Sequence, residues 1–264
     1  MAKPIQLHPK IRERKTPRVA AAALAEFIIS APDRQDDLLH DQRFSSAFVT
    51  QKYTEALRAI ESFCADVRRP KSVLEIARKA LETKEKSDAF TPAQREEATR
   101  CKELLDTFGL RSNGLGVAGL PLMKPDDLLP MKINGLDVSV WPSLFVGTTH
   151  PPREGEKVGM VFIRPQKRPD PSDCKTETTR VARQEHRREV LRYMLVIGWM
   201  AFRAAGIPEN RIDTKRLLGW DLRLDGGPIT FPSDRVSRIK RIEAACGQIA
   251  RLWDTISTKP SDTI

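Results

Sequence analysis

The dipeptide Asn134-Gly135 constrains what this chain can fold into more than any other feature. Between two alternating apolar runs it is the strongest short-range signal for a two-residue hairpin turn. Both positions of such a turn take positive φ, which Asn and Gly tolerate best. The near strand reads Pro130-Met131-Lys132-Ile133, and the far strand reads Leu136-Asp137-Val138-Ser139-Val140-Trp141, with Leu144-Phe145-Val146 continuing the run. A polar loop from Thr148 to Lys157 leads into Val158-Gly159-Met160-Val161-Phe162-Ile163. That run is almost continuously apolar, which predicts a strand buried on both faces. From Thr178 to Ala205 the period becomes helical, and Val190, Leu191, Met194, Leu195, Ile197, Trp199 and Phe202 give a wide apolar surface. A hairpin, a third strand and a helix that must cover them predict the core of an α/β or α+β domain.

Upstream, the punctuation is helical. Thr16-Pro17 has the form of an N-cap followed by proline at the first helical position, and predicts a helix through Ile29, stopped by Ala31-Pro32. A short acidic helix is expected around Asp33 to His40, a longer one over Phe48 to Arg68, and another from Pro70 through Leu81. Thr91-Pro92 repeats the N-cap-plus-proline pattern and opens a helix to about Phe108. Arg111 to Leu128 is rich in glycine and proline. It lacks both the Lys-Ser/Thr ending of a phosphate-cradling loop and the G-x-G-x-x-G spacing, so it reads as a linker. Beyond the long helix, Lys215 to Leu224 predicts a fourth strand and Asp225-Gly226-Gly227 a tight turn into Pro228 to Phe231. Ser233 or Asp234 then caps a last helix to about Ile256. The expected organisation is a basic arm (1–16), a helical region (17–110), a linker (111–128), an α/β core (129–257) and a short tail (258–264). The fold class is mixed: a helical N-terminal half, then a small mixed sheet of four to five strands flanked by helices.

Charge narrows the partners. Lys and Arg number 45 against 35 Asp and Glu, a net charge of +10, which favours polyanions, nucleic acid first and an acidic membrane surface second. Arg180, Arg183, Arg187, Arg188 and Arg192 recur at about helical spacing on the long helix and would present one cationic stripe to phosphates. No window reaches the ~18 apolar residues a membrane span needs, and Met1 to Arg18 has no apolar segment of a secretory signal. Cys64, Cys101, Cys174 and Cys246 are scattered, with no C-x-x-C pair, as expected of reduced thiols in a cytoplasmic protein. The histidines form no H-E-x-x-H pair, no G-x-S-x-G elbow occurs, and His150 falls in a Thr-Thr-His-Pro-Pro turn.

The order helix, three strands with the first two a hairpin, long helix, strand resembles the αβββαβ core of the PD-(D/E)XK nuclease superfamily, its RecB-like branch in particular. Pro17-Arg18-Val19-Ala20-Ala21-Ala22-Ala23-Leu24-Ala25-Glu26-Phe27 is similar to that family's first helix, with alanines where serines are usual. Asn134 to Ser143 looks like its turn and second strand, and Tyr193 one turn after Glu189 sits where the branch carries Gln-x-x-x-Tyr. The resemblance implies a Mg²⁺ or Mn²⁺ ion held between an aspartate on the second strand and an acid on the third, with a lysine two residues beyond. Here Ser143 follows Pro142, and Met160 to Ile163 stand where acid-x-lysine would, with Arg164 the one charge. Glu154, Glu156 and Lys157 lack the spacing, and an iron–sulfur cluster is not expected from such dispersed cysteines. The remaining ligand candidates are Asp137, the one carboxylate on a core strand, and Glu189, with Glu185 or His186 as possible additions. The expectation is a nuclease-like module without a metal site that binds nucleic acid, DNA foremost, or builds a complex. The alternatives are a Mg/Mn-dependent deoxyribonuclease with relocated ligands, and a protein-interaction module that meets an acidic partner.

Overall fold

The computed structural model describes residues 11–46, 52–148, 153–166, 174–259 and 262. The chain enters as a short strand, β1 (Ile11–Glu13), within the expected basic arm. A second, β2 (Arg18–Ala20), stands where the sequence predicts a helix start. Proline's fixed φ suits extended chain as well as a first helical turn, and Val19 alone turns inward while Arg18 and Ala20 stay exposed. That alternation is a strand's. The helix α1 (Ala21–Ile29) therefore begins later than its Thr-Pro signature implied. It is followed by α2 (Pro32–Arg43) and by β3 (Phe44–Ser46), which pairs antiparallel with β1.

Three helices form a lobe: α3 (Thr54–Ala65), α4 (Ser72–Lys86) and α5 (Pro92–Arg111). Thr91 caps α5 as its sequence predicts, in a reciprocal capping box with Gln94. The stretch read as a linker carries buried Leu115 and Val117 and a two-residue strand, β4 (Leu122–Met123). The hairpin follows as β5 (Leu129–Ile133) and β6 (Leu136–Val140), turning at Asn134 (φ 47°) and Gly135 (φ 87°). The chain then crosses Trp141-Pro142-Ser143 into β7 (Leu144–Val146) and returns as β8 (Val158–Arg164), every residue of which is buried. The long helix α6 (Glu177–Ala204) leads to β9 (Ile212–Asp221), which starts three residues before the predicted strand and ends in a turn at Leu222. β10 (Ile229–Thr230) and α7 (Arg235–Leu252) follow, with a 3-10 turn at Trp253–Thr255 after α7.

The strands build two main sheets. A five-stranded mixed sheet runs β10-β9-β8-β7-β4, with β8 and β9 parallel, as a crossover through α6 requires. A three-stranded sheet runs β2-β6-β5, with β2 parallel to β6. The five-stranded sheet is covered twice. Val158, Met160 and Phe162 join a core with Leu24 and Phe27 of α1, Leu191, Leu195 and Phe202 of α6, and Ile242 and Ile249 of α7. The alternate residues Val161 and Ile163, with Leu144, Leu218 and Trp220, join a second core with Phe63, Leu81, Leu104 and Phe108 of the helical lobe. Gly198 lets α6 approach β8: a Cβ there would lie 2.5 Å from Met160 Sδ. The chain is thus a mixed α/β fold with a mostly helical N-terminal half. Among the described residues no helix is long and apolar enough to cross a membrane.

Candidate functional site

The carboxyl ends of β8 and β9 bring together three of the buried charged side chains among the described residues, Arg164, Arg187 and Asp221. Ile163 and Trp220 face the helical lobe, so the next residues, Arg164 and Asp221, which are register partners, turn the other way, beneath α6. Arg187 of α6 meets Asp221 in a two-pronged pair: Nε donates to Oδ2 and Nη2 to Oδ1, both at 2.7 Å. Nη2 also donates to the Gln166 carbonyl (2.8 Å), and Asp221 Oδ1 accepts from the Arg223 amide (2.9 Å). Both side chains are sealed from solvent. Such a pair survives burial only because the fork geometry satisfies both partners.

Glu26 of α1 closes the cluster. Its Oε1 accepts from Arg164 Nη2 at 2.8 Å, and its Oε2 lies 2.8 Å from His186 Nε2. Burial pushes the Glu26 carboxyl up, but the His186 hydrogen bond and the Arg164 charge outweigh it, so the group stays below its ordinary value and ionised. Burial draws the Arg164 guanidinium down while Glu26 opposes it. Arginine starts so high that it remains a cation. Arg164 Nη1 is buried without a hydrogen-bond partner, as are Nε and Nη2 of Arg223.

This donor set does not suit a divalent cation. Mg²⁺ and Mn²⁺ take carboxylate oxygens at short range, and both oxygens of Glu26 are held by cationic or donor groups. At the mouth of β7, the Ser143 amide donates to the Val161 carbonyl (2.8 Å) and its Oγ accepts from the Ile163 amide (3.0 Å), so the hydroxyl serves the strand pairing. Among the described residues no group of three or more His, Cys, Asp or Glu side chains is placed to hold a metal ion.

The residues singled out in the sequence are dispersed. Asp137 lies on the outer face of the three-stranded sheet, in register between Arg18 and Lys132. Leu136, Val138 and Val140 turn inward to the core that α6 shares, so β6 itself separates Asp137 from Glu189. Glu189 accepts from Arg192 (2.6 Å) and from Arg238 (2.8 and 3.2 Å). Burial raises its carboxyl, but the two arginines bring it below the ordinary range. The two candidate ligands do not converge, because an odd-numbered residue on β6 faces away from the covering helix.

The cationic stripe also breaks up. Arg187 is fully buried, because it precedes Val190 and Leu191 by three and four residues and so shares their inward phase. Arg192 pairs with Glu185 and Glu189, Arg188 lies 3.7 Å from Glu185, and Arg180 pairs with Glu177. Arg183 is half-buried and engaged. What α6 offers outward is a mixed-charge face. Glu156 caps its own loop, accepting from the Arg153 amide (3.1 Å) and the Thr148 hydroxyl (2.7 Å), while His150 lies outside the described residues. Cys64, Cys101 and Cys246 are buried. Burial pushes their thiols up to about 12, 11 and 12, so they stay protonated and unreactive.

One feature the sequence reading missed is the outer face of the three-stranded sheet. Arg18 and Lys132 are exposed there beside Asp137 and Ser139, Trp141 is exposed just past the end of β6, and Arg12, Arg14 and Lys15 are exposed on the approach to β2. The only signal for β2 was the single inward Val19, and the Thr-Pro pair before it masked that. No protein-family model, curated protein or solved structure matches the chain, so its chemistry is read from its own geometry.

Proposed function

We propose that this chain is a nuclease-like α/β module that has no metal site and binds nucleic acid, DNA foremost, as a free protein or within a complex. The order α1, β5–β6 hairpin, β7–β8, α6, β9 resembles the order of elements in the PD-(D/E)XK superfamily, although here the hairpin lies in a different sheet from β8 and β9, and the analogy concerns element order alone. The observation that carries the reading is the charge swap where that analogy would put the metal. Ser143 is engaged in strand pairing, Phe162 is core, Arg164 is a cation, and Glu26 is locked between Arg164 and His186. An ion-paired cluster replaces a ligand set. The side chains present fit neither Mg²⁺ nor Mn²⁺, because both Glu26 oxygens are already held. The net charge of +10 supports a polyanionic partner.

Native and denaturing gels run side by side test this, with labelled DNA incubated with Mn²⁺ or with EDTA. The reading expects a salt-sensitive shift with intact strands under both conditions. Strands cut only with metal would make the chain an enzyme with a rearranged site. A second reading, a docking module for another protein, draws on a different observation. A groove of about 430 Å³ between α4 and α5, lined by Phe63, Leu74, Leu105 and Leu110, lies where Leu110 is 87% exposed. Intact, unshifted DNA at low salt would favour it.

A further inference from the structure

We infer that the outer face of the three-stranded sheet is a docking surface for single-stranded nucleic acid, with Trp141 as the base-stacking platform and Arg18 and Lys132 as the phosphate contacts. This rests on the nucleic-acid reading above and gives it a place and a strand type. Among the described residues the β2-β6-β5 sheet packs into the core through its inner face only. On the outer face Arg18, Ala20, Pro130 and Lys132 are exposed, and Asp137 and Ser139 are half-buried. A shallow depression of about 410 Å³ runs between Arg18, Lys132, Asp137 and Ser139. Arg18 Nε donates to Ser139 Oγ (2.9 Å), which lays the guanidinium along the sheet rather than out into solvent.

Past the end of β6 the alternation of burial continues, with exposed Trp141 between buried Val140 and Pro142; this puts Trp141, 59% exposed, in phase with Asp137 and Ser139. An exposed tryptophan is unusual, and here it stands beside a cross-strand row of Arg18, Asp137 and Lys132 with two cations to one anion. From the row to the indole is four residues of strand, ~13 Å, a distance that consecutive nucleotides of one strand span. Arg12, Arg14 and Lys15, all exposed, extend the positive charge on the approach to β2. An indole face can stack only on a base whose own face is open, and duplex bases are closed to it. Aromatic stacking combined with a positively charged track is how proteins hold single strands without reading sequence. Asp137, set between the two cations, repels phosphate from the middle of the face and leaves a carboxylate to accept from base amino groups.

The test is fluorescence anisotropy of the full chain with a labelled oligothymidine of about 12 nucleotides, a duplex of equal length, and anionic phospholipid vesicles as a third arm. The single strand is expected to bind at least about tenfold tighter than the duplex. Trp141→Ala should weaken it roughly tenfold or more, and Trp141→Phe should largely restore it. Arg18→Ala with Lys132→Ala should flatten the dependence of log K on log salt by about 1.4, two single-strand phosphate contacts. Unchanged circular dichroism of the variants guards against unfolding. If all variants bind like the wild type, the docking face lies elsewhere and this inference falls while the nucleic-acid reading stands. If neither DNA form binds, both fall. Vesicle binding lost in Trp141→Ala, without DNA binding, would reassign the face to lipid.

Discussion

The two main sheets of this molecule adjoin along the chain, where β6 gives way to β7 across Pro142, yet meet opposite fates. The five-stranded sheet is covered on both faces, by α1, α6 and α7 on one side and by the α3–α5 lobe on the other. The three-stranded sheet, one residue of backbone before Pro142, is covered on one side and, among the described residues, bare on the other. In the first, polar side chains that fall on the strands must be neutralised inside, as Arg187 neutralises Asp221 and Glu26 neutralises Arg164. In the second, Arg18, Asp137 and Lys132 remain within reach of solvent and of anything that docks there. Charge on the doubly covered sheet serves stability. Charge on the half-covered one is available for recognition, and alanine substitutions should separate the two.

The largest effect falls on the covered sheet. Asp221→Ala removes the carboxylate that holds the buried Arg187 guanidinium by two prongs, and should cost about 3–5 kcal/mol in urea unfolding. Replacing both partners with Met and Leu should recover most of that, since an apolar pair of similar volume carries no desolvation penalty. A single-residue loss that the double replacement does not relieve would show that the pair does more than satisfy itself. Next comes Gly159→Ala. The added Cβ would lie 2.2 Å from the Arg216 carbonyl oxygen, where β8 and β9 slip register between Val158 and Met160. Backbone cannot step aside as a flexible side chain can, so a loss of about 2–3 kcal/mol is expected, measured as a fall in urea midpoint.

Acid reaches the same cluster more gently. Glu26 and Glu189 titrate below their ordinary value in the folded chain. Each therefore contributes stability that is complete above its unfolded pKa of about 4.3 and is lost as pH falls through the lower folded value. The slope of unfolding free energy against pH should be positive as pH falls below about 5 and shallower in Glu26→Gln. An unaltered slope would mean that the Arg164 and His186 contacts do not hold the carboxylate in solution. The smallest stability effect belongs to the bare sheet. Trp141→Ala should change stability by no more than about 0.5 kcal/mol while removing most single-strand affinity. A large loss of stability there would mean that the indole packs in solution and that the contrast between the sheets is wrong.

Much of the fold was legible because it rests on local chemistry. Asn134-Gly135 could hardly be anything but a hairpin turn, Thr91 with Gln94 carries its own capping box, and the unbroken run from Val158 required cover on both faces. What escaped depends on pairing partners distant in sequence. β2 is three residues long and is strand only because β6, more than a hundred residues on, accepts it in parallel. The break at Pro142, which hands the chain from one sheet to the other, leaves no periodic trace because both sides of it are apolar. The site was less legible still. Glu26 lay in a helix read for its alanines, and nothing local said that Arg164 and His186 would reach it. Arg187 looked like one more surface arginine. Only its phase with Val190 and Leu191 places it inside, and charge is a poor prompt to check phase.

The central claim is that the chain engages nucleic acid without cutting it. One cuvette tests this most directly: a single-stranded oligonucleotide with a fluorophore and a quencher at opposite ends, the full chain, and Mn²⁺, followed for anisotropy and for dequenching together. The account predicts that anisotropy rises and falls back with added salt, while fluorescence intensity shows no progressive gain over time. A steady, metal-dependent dequenching that EDTA stops would contradict it.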